Sequence, residues 1–292
     1  MTVDERGCND ASLRRPRNKA GRNVPVAIIV GVILGALIVG GLCIPNAWYP
    51  LLSVVIGLAT WEVTHRLKEH DYDVSTLVIL IGGQLMLWLS LPWGAEGMVI
   101  GYIVSVGAIF ITRLFNRGRY QATTNYLRDM AVAVFVLTWI SLCGTAAAHL
   151  SLYHQGHVRG WALIVTFILC VVGNDVGGFA AGVFFGKHPL APAVSPKKSV
   201  EGFVGSLILA ATVGAVTTWL LLQRAPWEGV VVGLVLACAA TLGDLVESQF
   251  KRELGIKDMS SLIPEHGGLM DRLDSLLPAA AMTWVLATFI QL

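Results

Sequence analysis

Charged side chains are scarce in this 292-residue chain. Asp, Glu, Lys and Arg make up 14% of it, whereas soluble domains carry roughly 25%. Hydrophobic residues account for 55%, and the mean hydropathy is +0.67, which excludes an ordinary soluble domain. Several apolar runs of about 20 residues are each long enough to cross a hydrocarbon core of about 30 Å. The sequence therefore predicts an all-α, polytopic membrane protein.

Cysteine is also rare, and no Cys-x-x-Cys pair is present. Four of the five cysteines lie in apolar runs (Cys43, Cys143, Cys170, Cys238), which indicates small buried side chains and excludes a disulfide framework or a zinc site. The GxxxxGK[ST] phosphate-binding loop is absent. We also expect no nucleic-acid partner. Residues 1–23 are too polar and Arg-rich for a cleavable signal; we expect a disordered, basic cytosolic tail.

Nine membrane spans are predicted. They cover approximately residues 24–44, 47–64, 75–93, 97–112, 130–149, 161–185, 203–222, 228–247 and 276–292. With the N-terminus in the cytosol, all of the 21 Lys and Arg except Arg159 and Arg224 fall on the cytosolic side, as the positive-inside rule requires. We expect N-terminal transmembrane helices over 24–149 and a catalytic half over 161–292, with cytosolic loops 186–202 and 248–275.

Ionisable residues inside the predicted spans mark candidate sites, because placing a charge there costs at least about 2.5 kcal/mol. Asp175 follows Asn174 in the sixth span, among glycines that thin the helix. Glu62 lies near the cytosolic end of the second span. We expect either an interfacial position for Glu62 near Arg66 or a contribution to the site.

Lysines and carboxylates concentrate in the two cytosolic loops. Lys197 and Lys198 follow Pro196, and they suit either phosphate or anionic lipid headgroups. On the eighth span, Asp244, Glu247, Ser248 and Lys251 share one helix face at i, i+3, i+4 and i+7. Asp271 and Asp274 would share a face if they opened the last helix. Metal ligands and interhelical salt bridges both remain open as interpretations of these pairs.

The segment 248–274 resembles the signature of the phosphatidate cytidylyltransferases, or CDP-diacylglycerol synthases. The matching residues are Ser248, Lys251-Arg252, Lys257-Asp258, Pro264, His266-Gly267-Gly268, Asp271-Arg272 and Asp274. The upstream Asn174-Asp175, Gly186-Lys187, Ser195-Pro196-Lys197-Lys198 and Glu201-Gly202 are also similar to the family. The chain departs from the family's usual pattern at Ser199-Val200, where Thr-Trp is frequent, and at Phe179, where a Tyr usually lies nearby.

The resemblance implies transfer of a cytidylyl group from CTP to phosphatidate in the bilayer, at a bacterial plasma membrane. It implies Mg²⁺, alone or with a second cation, on Asp175, Asp244, Asp271 and Asp274. The catalytic residues it implies are Asp244, Lys251, Arg252, Asp271 and Asp274. The substrate-binding residues it implies are Lys187, Ser195, Lys197, Lys198, Ser248, Lys257, His266 and Arg272.

Three further expectations remain open on the sequence. The lipid acceptor could be another lipid phosphate, because the motif concerns the nucleotide more than the tails. An ion-coupled transporter is the other alternative, with Asp175 and Asp244 as ion sites. A homodimer could form through the glycine-bearing early spans (Gly31, Gly35, Gly40), although the same faces could pack within one chain.

Overall fold

The computed structural model describes residues 24–44, 46–115, 124–263 and 267–289. The predicted tail 1–23 and His266 lie outside them. The described helices are α1 (Val24–Cys43), α2 (Trp48–Glu69), α3 (Thr76–Leu114), α4 (Tyr126–Val136), a π-helical segment (Leu137–Leu142), α5 (Cys143–Leu150), α6 (Gly160–Phe185), α7 (Val200–Leu221), α8 (Pro226–Glu253), α9 (Met270–Leu273) and α10 (Leu276–Phe289).

Five of the described segments are long and apolar enough to cross a membrane: Thr76–Leu114, Tyr126–Leu150, Gly160–Phe185, Val200–Leu221 and Pro226–Glu253. Two shorter apolar helices, Ile29–Cys43 and Leu276–Phe289, accompany them. This composition confirms a helical membrane protein. The count of nine spans and the orientation stay predictions.

Helix α3 is a hairpin of two arms. Its break is at Gly94, whose φ of 57° and ψ of −136° are not helical, two residues after Pro92. The arms then pack against each other, since a Cβ placed on Gly101 would lie 2.8 Å from Cα of Met86. The two arms correspond to the spans predicted over 75–93 and 97–112.

Two small antiparallel hairpins interrupt the helices, and neither was predicted. Strand β1 (His154–Gln155) pairs with β2 (Val158–Arg159), and β3 (Pro189–Ala191) pairs with β4 (Ser195–Ser199). The second hairpin leads directly into α7, where the Ser199 hydroxyl accepts a hydrogen bond from the Gly202 amide at 3.0 Å. This cap holds the lysines of β4 beside the start of α7.

Helices α6, α7 and α8 pack through small residues. A Cβ on Gly177 of α6 would collide with the carbonyl oxygen of Gly205 on α7. The same holds for Gly214 of α7 against Gly229 of α8. The α6 glycines therefore allow close packing on α7, and this packing brings Asp175 close to the C-terminal part of α8.

The close approach at Gly101 gives a test of the α3 hairpin. We expect Gly101→Ala to destabilise the protein, because the added methyl group would press on the backbone of Met86 and overpacking costs about 1–3 kcal/mol. The thermal unfolding midpoint of the detergent-solubilised protein measures this loss.

Gly107→Ala is the matched control on the same arm. Nothing lies within 4 Å of a Cβ at that position, and alanine favours helix over glycine. Its midpoint should equal or exceed that of the wild type. Equal midpoints for the two variants would contradict the packing of the arms.

Candidate active site

The site is built along the polar face of α8. Asp244 forms an ion pair with Lys198 of β4 at 2.5 Å and accepts a hydrogen bond from Ser248 at 3.3 Å. One turn further on, Lys251 pairs with Glu247 at 3.1 Å and with Asp271 at 2.9 Å. The predicted stripe therefore contacts both polar loops, 186–202 and 248–275.

A polar cavity of about 330 Å³ lies between α6, α7, α8 and β4. Asp175, Lys197, Lys198 and Asp244 line it. The buried Asn174 side chain donates to Asp175 at 3.1 Å and accepts from the Thr241 hydroxyl at 3.1 Å, which orients the Asp175 carboxylate. The structure thus brings together four of the residues that the sequence singled out, with two cations and two carboxylates around one space.

Asp271 is held by several donors. It accepts hydrogen bonds from the Gly268 amide at 2.7 Å, the Met259 amide at 3.1 Å and the Lys251 ammonium group at 2.9 Å. Burial by itself raises the pKa of Asp271, but the bonds from Lys251 and Gly268 outweigh it and leave the pKa below its usual value. Asp271 is therefore a carboxylate at neutral pH.

Asp274 and Glu247 form a buried carboxyl pair. Glu247 is completely buried; among the described residues it pairs with Lys251 and shares a hydrogen bond with Asp274. Burial and the nearby charge of Asp244 raise the pKa of Asp274. A hydrogen bond shared with the Glu247 carboxyl group lowers it, but the pKa stays above its usual value. Carboxyl groups crowded in this way favour a proton or a bound cation between them.

Glu62 belongs to the site and not to the interface near Arg66. It is 2% exposed and accepts hydrogen bonds from the amides of Leu269 at 3.2 Å and Met270 at 2.8 Å, and also from the Ser260 hydroxyl. A Cβ on Gly268 would collide with the Glu62 carboxylate. Glu62 therefore positions the segment that carries Asp271.

Glycine is required at positions 267 and 268 for two different reasons. Gly267 has φ of +85°, a conformation that side chains rarely adopt, and its neighbour Gly268 lets the backbone reach Glu62. This geometry turns the chain so that the Gly268 amide donates to Asp271 three residues later.

The condition under which Asp271 and Asp274 would share a face of the last helix is not met. They do not open the last helix. Asp271 lies in the one-turn helix α9, Asp274 follows its end, and α10 begins at Leu276. The break occurs because the Asp274 carboxylate accepts from the Ser275 amide at 2.7 Å and so competes with helical bonding at that point.

The other predicted site residues, among them the catalytic candidate Arg252, are spread around the site. Arg252 donates to the carbonyl of Val194 in the β3–β4 turn, and Ser195 lies in β4. Lys187 and Lys257 are exposed; the Lys187 amide donates to Glu201 at 3.1 Å. Arg272 lines an apolar cavity on the other side of α9.

The site has the donor chemistry for Mg²⁺. Among the described residues, no three Asp, Glu, His or Cys side chains are arranged to hold a metal ion. Even so, the carboxylates on α8 and on α9 with its following residue are the hard oxygen ligands that Mg²⁺ prefers, and the buried Glu247 carboxyl group shares a hydrogen bond with that of Asp274. The predicted metal ligands Asp175, Asp244, Asp271 and Asp274 stay a prediction.

Two residues of this site were missed as site residues. Glu247 was recognised in the α8 stripe but not assigned a role, and its complete burial is the feature that marks it. Glu62 was left between two interpretations. The feature that marked Glu62 in the sequence was the energetic cost of a carboxylate in an apolar span. Its partners lie about 200 residues further along the chain and could not be identified from the sequence.

Comparison with known proteins gives matches along almost the whole chain. The family model described as the cytidylyltransferase family matches residues 25–290. The phosphatidate cytidylyltransferase of Mycobacterium leprae is 41% identical, over 98% of this chain and 94% of the relative. That of Mycobacterium bovis is also 41% identical, over 94% and 91%, and that of Brucella melitensis is 30% identical, over 90% and 93%.

Removing the Glu62 carboxylate tests its role in positioning the segment that carries Asp271. Glu62→Ala would leave the amides of Leu269 and Met270 buried without their acceptor, and each unsatisfied group costs about 1–3 kcal/mol. We expect a lower free energy of unfolding in detergent and faster proteolysis between residues 256 and 270. Glu62→Gln, which keeps one acceptor oxygen, should lose less.

Glu96→Ala is the control, because Glu96 is an exposed carboxylate in the α3 hairpin. Its stability and proteolysis should match the wild type. If Glu62→Ala is as stable and as resistant as Glu96→Ala, the positioning role is wrong.

Proposed function

The chain belongs to the cytidylyltransferase family, and we propose that it transfers the cytidylyl group of CTP to phosphatidate, forming CDP-diacylglycerol and pyrophosphate. The observation that carries the proposal is the meeting of the two cytosolic loops on α8, where Lys198 pairs with Asp244 and Lys251 with Asp271. The relatives' activity and the chemistry of this centre agree.

The reaction needs alignment and charge neutralisation more than a protein nucleophile. A phosphate oxygen of phosphatidate attacks the α-phosphorus of CTP, the bond from that phosphorus to the bridging oxygen breaks, and pyrophosphate takes the bonding electrons. Both reactants are anions, so the protein must hold them together against their repulsion. A site built of ammonium groups and carboxylates on fixed helices is suited to this task.

Mg²⁺ is part of the proposal. Asp244, Asp271 and Asp274 would hold it, with Asp175 as a further ligand and with a second cation in a two-cation version of the site. When bound, the metal would neutralise charge on the triphosphate and on the leaving pyrophosphate.

The cations of the chain divide between the two reactants. Lys197 and Lys198 line the polar cavity, and we assign them to the triphosphate of CTP. Arg272 lies at an apolar cavity, and we assign it to the phosphate of the lipid, because its guanidinium group can bind a phosphate through two hydrogen bonds. Lys251 holds Asp271 in place.

Membrane orientation follows the charge distribution. We place the N-terminus and the loops 186–202 and 248–275 in the cytosol, where CTP is available, in a protein of nine spans in the cell membrane. The transporter alternative loses its support, because the family is one of cytidylyltransferases. A different lipid phosphate as acceptor is the alternative that the assay below separates.

Turnover by Asp271→Asn tests the reaction and the site together. We expect the purified wild type to move label from CTP into an organic-extractable product only with phosphatidate and Mg²⁺. Asp271→Asn should lower this rate by at least about 100-fold, the upper end of losses from changes around metal ligands. The rate at which label enters the organic phase measures the activity of the wild type and of the variant.

Asp71→Asn is the control for the loss of one carboxylate. Asp71 is exposed, with φ of 61°, a conformation that asparagine accepts readily, so its rate should stay at the wild-type level. Folded wild type that binds CTP but labels no lipid would show a wrong acceptor, and other lipid phosphates would replace phosphatidate. Failure to bind CTP would overturn the enzyme assignment.

A homodimer through α1 is also proposed. A Cβ on Gly31, Gly35 or Gly40 would meet nothing within 4 Å in the described part of the chain, so packing within one chain does not use these glycines. Gly31 and Gly35 are four residues apart, a spacing that allows two membrane helices to approach closely. The free faces of two α1 helices are therefore suited to each other.

The mass of the detergent-solubilised particle tests the dimer. We expect light scattering to give two chains for the wild type and one for Gly35→Leu, because leucine would hold the helices apart. Gly107→Leu, at another glycine with nothing within 4 Å, should keep the wild-type mass. A monomeric wild type would contradict the proposal.

A further inference from the structure

A second cavity, of about 190 Å³, lies on the membrane side of the site. Helices α1, α2, α5, α6 and α10 line it, together with the π-helical segment. The lining is apolar except for Arg272. Trp48, another lining residue, uses its indole N–H in a bond to the carbonyl of Ala147 at 3.1 Å, so the wall is suited to hydrocarbon and not to a polar ligand.

The cavity ends at the segment that carries Asp271. Ile263 and Leu269, from the cytosolic segment before α9, line it beside Arg272. Arg272 also interacts electrostatically with Asp175 of the polar site. One guanidinium group therefore stands where the apolar cavity and the polar site adjoin.

Helix α1 forms the outer wall of this cavity. Leu37 contributes to the lining although its side chain is 50% exposed, so the cavity continues to the surface that faces lipid. An apolar cavity of this kind stays dry and takes up apolar molecules. An acyl chain could enter it sideways from the bilayer.

We propose that this cavity holds part of one acyl chain of the lipid acceptor while Arg272 binds the acceptor's phosphate. This rests on the proposed function and deepens it, because it makes the walls of the cavity the part of the protein that senses acyl-chain length. Arginine and phosphate are complementary in charge and geometry, and the surrounding apolar wall excludes the water that would weaken the pair.

Narrowing the cavity should change the chain-length preference. Val55 lines the cavity and is half-buried, whereas its neighbour Val54 does not line it and is 60% exposed. We expect Val55→Trp to lower kcat/KM for dioleoyl phosphatidate about tenfold or more, since small changes in an apolar pocket shift discrimination by that amount. Dioctanoyl phosphatidate and the KM for CTP should change less than about twofold.

Val54→Trp is the matched control, with the same substitution one residue away, and should keep the wild-type profile. If Val55→Trp also keeps that profile, or loses both acceptors equally while it still binds CTP and unfolds at the wild-type temperature, the proposal is overturned. If wild type labels neither lipid, the proposed function fails instead.

Crosslinking of the wild type removes any question of folding. A phosphatidate carrying a diazirine in the middle of one acyl chain should label peptides of α2 and α10, and excess unlabelled phosphatidate should prevent this. Labelling confined to α7, which contributes no residue to the cavity lining, would show that the chain lies elsewhere and would overturn the proposal even where turnover is normal.

Discussion

The site depends on the ion pairs that the ammonium group of Lys251 forms. This group joins Glu247 and Asp271, whose side chains are 0% and 6% exposed. Two carboxylates this deeply buried would be costly without a cation between them. Because Lys251 and Glu247 lie on α8 and Asp271 lies on α9, the pairing also determines where the segment before α10 must run.

The N-terminal half supports this arrangement from the opposite side. Glu62 of α2 binds the amides at the start of α9, where a carboxylate also meets the positive end of the peptide dipoles. Arg66, one turn further along α2, donates to the carbonyl of Met259. Helix α2 therefore acts as a frame against which the segment that carries Asp271 is placed.

The sequence predicted what depends on local pattern and missed what depends on distant partners. Apolar runs marked the helices, and the spacing of Asp244, Glu247, Ser248 and Lys251 placed them correctly on one face of α8. The predicted start of the last span at residue 276 matches the start of α10, but the bond from the Ser275 amide to Asp274 that precedes it was not predicted. The β3–β4 hairpin was read as a loop, since its strands are short and contain Pro189 and Pro196.

The spacing of the acidic residues left metal ligands and salt bridges open, and the structure shows why these alternatives are not exclusive. Asp244 and Asp271 each have a lysine partner, while Glu247 and Asp274 also face one another. Carboxyl groups that crowd each other in this way hold either a proton or a cation between them, and carboxylate oxygens are the ligands that a divalent cation prefers. The ion pairs of Asp244 and Asp271 are therefore compatible with the proposed cation.

The one-turn helix α9 separates two environments that the reaction must join. Asp271 and Arg272 are adjacent in sequence, and a helix turns its side chains by about 100° per residue. Asp271 therefore points to Lys251 and the amides of its own segment, while Arg272 reaches the apolar cavity. A water-soluble nucleotide and a bilayer lipid can approach such a segment from different sides, and their phosphates need meet only at this helix.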